Sequence, residues 1–525
     1  MTTPEEARQA PLIEAMHHGA FYPHEVDAPV EVVRTHISHV FLAGAYAYKL
    51  KRPLNLGFLD YTTLAKRKSY CQAELDLNRR YAPQLYREVR PIGRRAAGYV
   101  MGSEQDVVDY VVCMRRFDEA DVFSRMFADG RLESEHLRRL AVRLADIHAQ
   151  APRGPHITRF GSLGAVRKVV EDNYRETAAF VGCLQTEKQL NETRAYTDRL
   201  FSEHADWFLA RCDGGFIREC HGDLHLNNVC WFEGDPCPFD CIEFNEAFRF
   251  IDVLYDVAFM VMDLVYRDRL DLAFGFLNTY LERTGDYAGA RLIPFYVSLR
   301  AYVRAKVYSL MSLDEALGSE ARHKLETKAA GFYRLAWRFA QPRHLGMVAV
   351  AGFSGAGKST VAAYAAGLLG AIHLRSDALR KHLGDQPLDS QGDADLYDPE
   401  HTRRTYAELI EQAVALARTG MPVIVDAKFD RQTWRAQLLQ AANEAQLSLH
   451  FCWCRADEPI LRHRLTHRIG DVSDATADLL PHQFAQWQGF EADEPVFELD
   501  TDGDWQHRLR EALAQVLPSV PAGFL

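Results

Sequence analysis

Short apolar or alternating runs along the chain predict strands, and longer stretches with apolar residues three and four apart predict helices. HVFLAGAYAYKLKR, beginning just after Ser38, reads as two strands around a small Ala-Gly-Ala turn. A helix is expected over about 64–80, then strands near 97–101 and 107–114. Helices follow from Ser134, over roughly 186–211, across IPFYVSLRAYVRAKVYSL and over 320–340. Between them FIREC, NVCWF and PCPFD are strand-like. Residues 1 to about 35 read as short amphipathic helical pieces ending near Pro29. The polar QPR ends the first domain, with the boundary at Pro342. Beyond it, strands near 347–351, 371–375, 422–426 and 448–454 alternate with helices, the pattern of a mostly parallel α/β sheet.

Two polar clusters interrupt these apolar runs. HGDLHLNN, His221–Asn228, lies between predicted buried strands, and Asp240 follows after a short hairpin. Phosphoryl transfer needs a carboxylate to accept the proton of the attacking hydroxyl and oxygen ligands to hold Mg²⁺ on the nucleotide phosphates. Asp223 suits the first role, and Asn228, five positions on, and Asp240 suit the second. The second cluster is G-x-x-x-x-G-K-S, Gly352–Ser359, between a predicted strand and helix. Gly352, Gly355 and Gly357 let backbone N–H groups wrap a phosphate, Lys358 bridges the terminal phosphates, and Ser359, followed by Thr360, reaches Mg²⁺. Asp426 ends the third strand of this half, the natural place for a carboxylate on the Mg²⁺ side.

The 525 residues, 47% hydrophobic and 25% charged, describe globular domains rather than a disordered or membrane chain. The net charge of −11 argues against constitutive binding to nucleic acid or anionic membrane. No stretch approaches the ~18 apolar residues of a membrane span, and the first residues lack a signal-peptide pattern, so the cytoplasm is the expected location. The ten cysteines are read as reduced thiols. Five of them crowd the region of HGDLHLNN, but without CxxC spacing they read as small core residues, not a zinc site.

The first half resembles the aminoglycoside phosphotransferase-like kinases, an α+β, two-lobed protein-kinase-like fold, on HGDLHLNN, PCPFDCIEFN and FRFIDVLYDVAF. The resemblance implies residues 1–342 as this domain, with a small lobe over about 30–117 and a helical lobe over about 118–340. It assigns Asp223 as catalytic base, Asn228 and Asp240 as Mg²⁺ ligands, and Asp256 as the brace of the catalytic loop. Lys49 would face the ATP phosphates, paired with Glu74 on the 64–80 helix. Lys51 is the competing lysine, because strand alternation puts both on one face. DYVVCMRRF resembles the hinge between the lobes, with Met114 lining the adenine slot. Tyr296, Arg300 and Arg304 recur every four residues and share a helical face. Lying where the family builds its acceptor pocket, they would favour an anionic substrate over a polycationic aminoglycoside.

Residues 343–525 resemble P-loop kinases of the gluconate-kinase, polynucleotide-kinase and zeta-toxin type, on GFSGAGKST and LRSDALRK. There Asp377 would act on the acceptor hydroxyl with Arg380 beside it, and Arg464 and Arg468 would form a lid that neutralises phosphate charge. The whole chain is similar to bacterial proteins that fuse these two domains. The expectation is an ATP- and Mg²⁺-dependent phosphotransferase with two nucleotide sites, acting on hydroxyls of small metabolites. Two alternatives stay open, namely that one half senses nucleotide and regulates the other, and that the chain is a nucleic-acid 5′-end kinase.

Overall fold

The computed structural model describes residues 4–57, 59–96, 98–342, 346–392, 394–467 and 472–517. Arg343 of the QPR linker, together with Arg468, Gly470 and Asp471 of the expected lid, lies outside them. Packing divides the chain into two units, Met1–Leu140 with Asp146–Ser162 and Arg211–Asp256, and Ala141–Ala145 with Leu163–Ala210 and Val257–Leu525.

In the first unit six antiparallel strands form one sheet in the order β1-β2-β3-β6-β4-β5. They are β1 (Glu31–Arg34), β2 (Ser38–Ala43), β3 (Tyr46–Lys51), β4 (Tyr86–Arg95), β5 (Gly98–Met101) and β6 (Val107–Arg115). The helix Leu64–Arg79 is N-capped by Thr63 and turns Arg67, Cys71, Glu74, Leu75 and Asn78 inward. Two strands escape the hydrophobic pattern. β1, in the stretch read as short helical pieces, is a mostly exposed edge strand, so neither of its faces needs an apolar row. β4 carries four arginines and Pro91, and its pairing with β6 shifts register twice, the second time just after Pro91.

Four short strands frame HGDLHLNN. β7 (Ile217–Glu219) pairs with β10 (Phe250–Asp252), and β8 (Val229–Phe232) with β9 (Asp235–Pro238). The β8–β9 turn, Glu233–Gly234, has φ of +51° and +85°. Such left-handed pairs match the twist of a tight hairpin, and this one fixes where Asp240 emerges.

The second unit holds helices and a sheet. The expected 186–211 helix breaks at His204 into Glu187–Glu203 and Ala205–Asp213. Further helices are Leu163–Glu176, Leu270–Thr284, Ile293–Met311 and Ser319–Phe339. The sheet is fully parallel, ordered β12-β13-β11-β14-β15, from β11 (Met347–Ala351), β12 (Ile372–Arg375), β13 (Val423–Asp426), β14 (Leu449–Arg455) and β15 (Val496–Asp500). Strand β15 lies in the acidic, tryptophan-bearing end for which the sequence suggests no role. Leu270–Thr284 packs along the helix Lys358–Leu369 and reaches the open edge of β12. There the Asn278 side chain donates to Ala371 O and accepts from His373 N–H, both at 2.9 Å. It satisfies backbone groups that a further strand would otherwise take. Among the described residues, no helix is long and apolar enough to cross a membrane.

Candidate functional site

The loop at His221 is held by its own backbone amides. Asp256 accepts from His221 N–H at 3.0 Å and Gly222 N–H at 2.9 Å, which is the bracing expected of it. Gly222 sits at φ +86°, and a Cβ there would meet Phe248 O at 2.7 Å, so only glycine fits the turn. His221 bonds Phe239 O at 2.9 Å through Nε2, and burial lowers its pKa. Asn228 donates its amide to Asp223 O at 3.0 Å and to Asp223 Oδ2 at 2.9 Å. With the nitrogen so committed, the Asn228 amide oxygen is the face left for a cation. Asp240 stands at φ +62° with its side chain half exposed, its N–H donating to the Tyr86 hydroxyl at 3.1 Å. Asp223, Asn228 and Asp240 thus supply hard oxygen donors of the kind Mg²⁺ prefers. His148, Cys220 and Asp256 also come together, fully enclosed, behind the loop. Asp256 spends both oxygens on the loop amides, so this trio reads as a brace.

Both candidate lysines converge on Glu74, Lys49 at 2.7 Å and Lys51 at 2.6 Å. Lys49 also pairs with Asp240, whereas Lys51 pairs with Glu243, which accepts from the Tyr61 hydroxyl at 2.5 Å. Burial alone would pull Lys49 down, but Asp240 and Glu74 outweigh it and hold its pKa well above the ordinary value. Glu74 in turn resists burial through the two lysines and falls to about 2. Glu243 and Tyr61 were missed by sequence reasoning. The signal for Glu243 was a carboxylate three residues past Asp240 in an otherwise apolar run. Met114, one residue before the end of β6, pairs with Ala47 and Tyr86 and, like Phe117, packs against the core around Cys71 and Leu75.

Of the face expected at an acceptor pocket, Tyr296 and Arg300 are buried and Arg304 is half-buried. Tyr296 is 4% and Arg300 5% exposed, with the Arg300 guanidinium 4.6 Å from the centre of the Phe259 ring. Arg304 donates to the Tyr308 hydroxyl at 2.8 Å. The four-residue spacing is real, but the face is packed against aromatic rings.

The P-loop forms as its spacing predicts. A Cβ on Gly352 would meet Cys454 O at 2.7 Å and one on Gly355 would meet Leu461 O at 2.8 Å, so the loop is a cradle of bare backbone. Lys358, at the start of its helix, donates to Phe353 O at 2.9 Å, and burial lowers its pKa against the pull of Asp426 and Asp377. Ser359 and Thr360 occupy the first helical turn. Asp426 is 4% exposed. Burial opposes its charge, but the hydrogen bond and charge of His373, then Arg375 and Lys358, hold it at about 2. Asp377 lies in the first turn of Ser376–Leu383.

Two arginines differ from expectation. Arg380 is buried, donating to Leu396 O at 2.7 Å and the Thr402 hydroxyl at 3.1 Å, so it holds the helix Pro399–Ala417 instead of facing an acceptor. Arg464 donates to Thr501 Oγ1 at 2.9 Å, Thr501 O at 3.0 Å and Gly355 O at 3.4 Å, which ties the P-loop to the residue just after β15. The terminal segment also contributes. Gln483 accepts from Ser354 N–H and donates to Ser354 Oγ, both at 3.0 Å, and Trp487 stacks on Trp453 at 4.0 Å.

Comparison with known proteins agrees with this division of chemistry. Residues 64–293 match the model of the phosphotransferase enzyme family, and 347–489 that of an AAA domain. Similar solved structures include a sugar kinase from Janibacter sp. HTCC2649 at 24% identity, with a TM-score of 0.29 over 35% of this chain and 98% of that one. Another is the amicoumacin kinase hAmiN in complex with AMP-PNP, Ca²⁺ and Ami, at 12% identity and a TM-score of 0.38 over 63% and 96%. Uncharacterized proteins of Mycobacterium tuberculosis (strain H37Rv) and Mycobacterium bovis are each 30% identical over 457 residues, 86% of this chain and 88% of theirs. The chain belongs to the same family as these mycobacterial proteins, and in it a phosphotransferase-family kinase domain is joined to a P-loop kinase-type domain.

Proposed function

We propose that the chain is an ATP-dependent phosphotransferase with two nucleotide sites, in domains 1–342 and 343–525, each acting on a hydroxyl of a small metabolite. The observation that carries this reading is the first site's geometry, in which Asn228 is hydrogen-bonded to Asp223 and Lys49 is ion-paired to both Glu74 and Asp240. Asp223 takes the proton of the acceptor hydroxyl as its oxygen bonds to the γ-phosphorus and the bond to the leaving ADP oxygen breaks. Lys49, the lysine that meets Asp240, faces the phosphates, and Lys51 supports Glu74 from within. Asn228 and Asp240 would hold Mg²⁺, which neutralises charge on the phosphate oxygens. In the second site the glycine cradle and Lys358 receive the phosphates, Asp426 and Ser359 would hold Mg²⁺, and Asp377 takes the acceptor proton.

Because Arg300 and Arg304 are packed on Phe259 and Tyr308, they supply no argument for an anionic acceptor. The ten free cysteines fit a reducing compartment such as the cytoplasm. The test is transfer from terminally labelled ATP to a panel of hydroxyl metabolites and to RNA 5′ ends. Labelled phosphate esters of a small metabolite are expected, with none in the double variant Asp223→Asn/Lys358→Ala. Transfer that survives in the double variant, or that goes to RNA ends alone, overturns the proposal.

A further inference from the structure

The first-half helix Leu270–Thr284 ends against the P-loop site, and its last turn touches β12, which pairs with the strand carrying Asp426, and the helix that carries Asp377. Glu282 accepts from Arg375 Nη1 at 3.2 and 3.3 Å, through both carboxylate oxygens. Arg375 Nε then lies 3.8 Å from Asp426 Oδ2. The backbone oxygen of Glu282 is bonded by His382 Nε2 at 2.8 Å, on the helix whose first turn carries Asp377. Glu282 is therefore anchored through its backbone, and its carboxylate takes up Arg375.

We propose that Glu282 is a positioning residue for the P-loop site, holding Arg375 back from Asp426 so that the carboxylate stays open to a magnesium nucleotide. This rests on the reading of the P-loop as a nucleotide site. At 3.8 Å, Arg375 Nε is within ion-pair range of Asp426 Oδ2 and lends it favourable charge, but it lies beyond hydrogen-bond distance. Released from Glu282, a guanidinium beside a carboxylate that is 4% exposed would form the short, bidentate, charge-assisted pair that such groups prefer. Mg²⁺ would then have to displace it. The P-loop site is thus completed by a residue some seventy positions before its own glycine loop begins, outside the segment that matches the AAA-domain model.

The test uses the full chain and a ribose-labelled fluorescent ATP analogue, titrated with Mg²⁺. The share of the signal lost in Lys358→Ala is assigned to the P-loop. In Glu282→Gln that share should need roughly tenfold more Mg²⁺ for half-saturation, an energy of about 1.4 kcal/mol. Adding Arg375→Met should restore the wild-type titration, which a merely structural role for Glu282 would not allow. A Glu282→Gln titration that overlays the wild type, or a double variant that stays impaired, overturns the proposal. If Glu282→Gln does not fold, Arg375→Met alone decides, with Mg²⁺ dependence no weaker than wild type expected and weaker binding contradicting the idea. A signal that Lys358→Ala leaves undiminished removes the P-loop reading and this proposal together.

Discussion

At the first site Lys49 and Lys51 are enclosed by three carboxylates, Glu74, Asp240 and Glu243, whereas Lys358 rests in a loop of backbone with its Nζ on a carbonyl. The consequences for charge are opposite. Carboxylates raise the first two lysines well above their ordinary pKa, and burial lowers the third. The two lysine clusters thus use different physics. One holds its cations in a network of carboxylates, and the other keeps a poorly solvated cation that a phosphate would relieve. The first should be fragile to loss of a single charge, and the second should lose function far more than stability.

The largest effect that sharpens this contrast is on turnover. Asp223→Asn is expected to lower first-site transfer on the order of 10²–10⁴-fold, the usual worth of a positioned base, with nucleotide binding retained. Lys358→Ala should lower nucleotide binding at the second site and leave first-site transfer unchanged. Single-variant kinetics on each site's acceptor separate the two. Equal losses at both sites from either substitution would make them one centre.

Next in size is stability at the first site. Glu74 is fully enclosed between two lysines, and removing one partner of a buried ion network typically costs about 3–5 kcal/mol. Glu74→Ala should therefore lower the denaturation midpoint steeply. The pH dependence has a definite sign. Glu74 is held at about 2 against an ordinary 4.5, so its contribution is complete above 4.5 and is lost as the pH falls toward 2. In Glu74→Gln the fall in stability over that window should be shallower. A variant as stable as the wild type at neutral pH would mean the network contributes nothing.

Both site motifs were legible because their chemistry demands fixed spacings. Asp223 to Asn228 spans one loop, and Gly352 to Ser359 must wrap one phosphate, so identity and interval carry the information. Strands β2, β3, β11 and β13 were legible for a different reason, since their buried faces require continuous or alternating apolar residues. What escaped has a physical cause in each case. β1 and β4 bury too little for a pattern, and Tyr61, Gln483 and Thr501 act through contacts remote in sequence. The four-residue period of Arg300 and Arg304 reports a shared side, not which side is outward. Phe259 and Tyr308 pack on that side, leaving Arg300 buried and Arg304 half-buried.

A smaller effect concerns the joint between the helices and the P-loop sheet. Asn278→Ala would leave Ala371 O and His373 N–H buried without their partner, at about 1–3 kcal/mol for such a loss. Hydrogen exchange at His373 should quicken accordingly, while exchange in β3 of the first unit stays as it was. Unchanged protection at His373 would mean the Asn278 bridge opens readily in solution.

The smallest expected change tests the lysine that burial disfavours. Lys358 has a folded pKa below its ordinary 10.5, so between the two values the unfolded chain binds more protons than the folded one. Stability attributable to this residue therefore rises with pH across that window, and the cost of keeping it charged is fully present below it. Lys358→Met removes the charge and keeps most of the length, so it should be slightly more stable than wild type near neutral pH. That advantage should shrink as the pH climbs toward 10.5. Lys49 and Lys51 run the other way, because their raised values make stability fall once the pH passes 10.5. Chemical denaturation of Lys358→Met and wild type across the alkaline range reads the difference directly. If Lys358→Met is less stable than wild type at neutral pH, the P-loop lysine contributes to the fold as Lys49 does, and the contrast between the two sites fails.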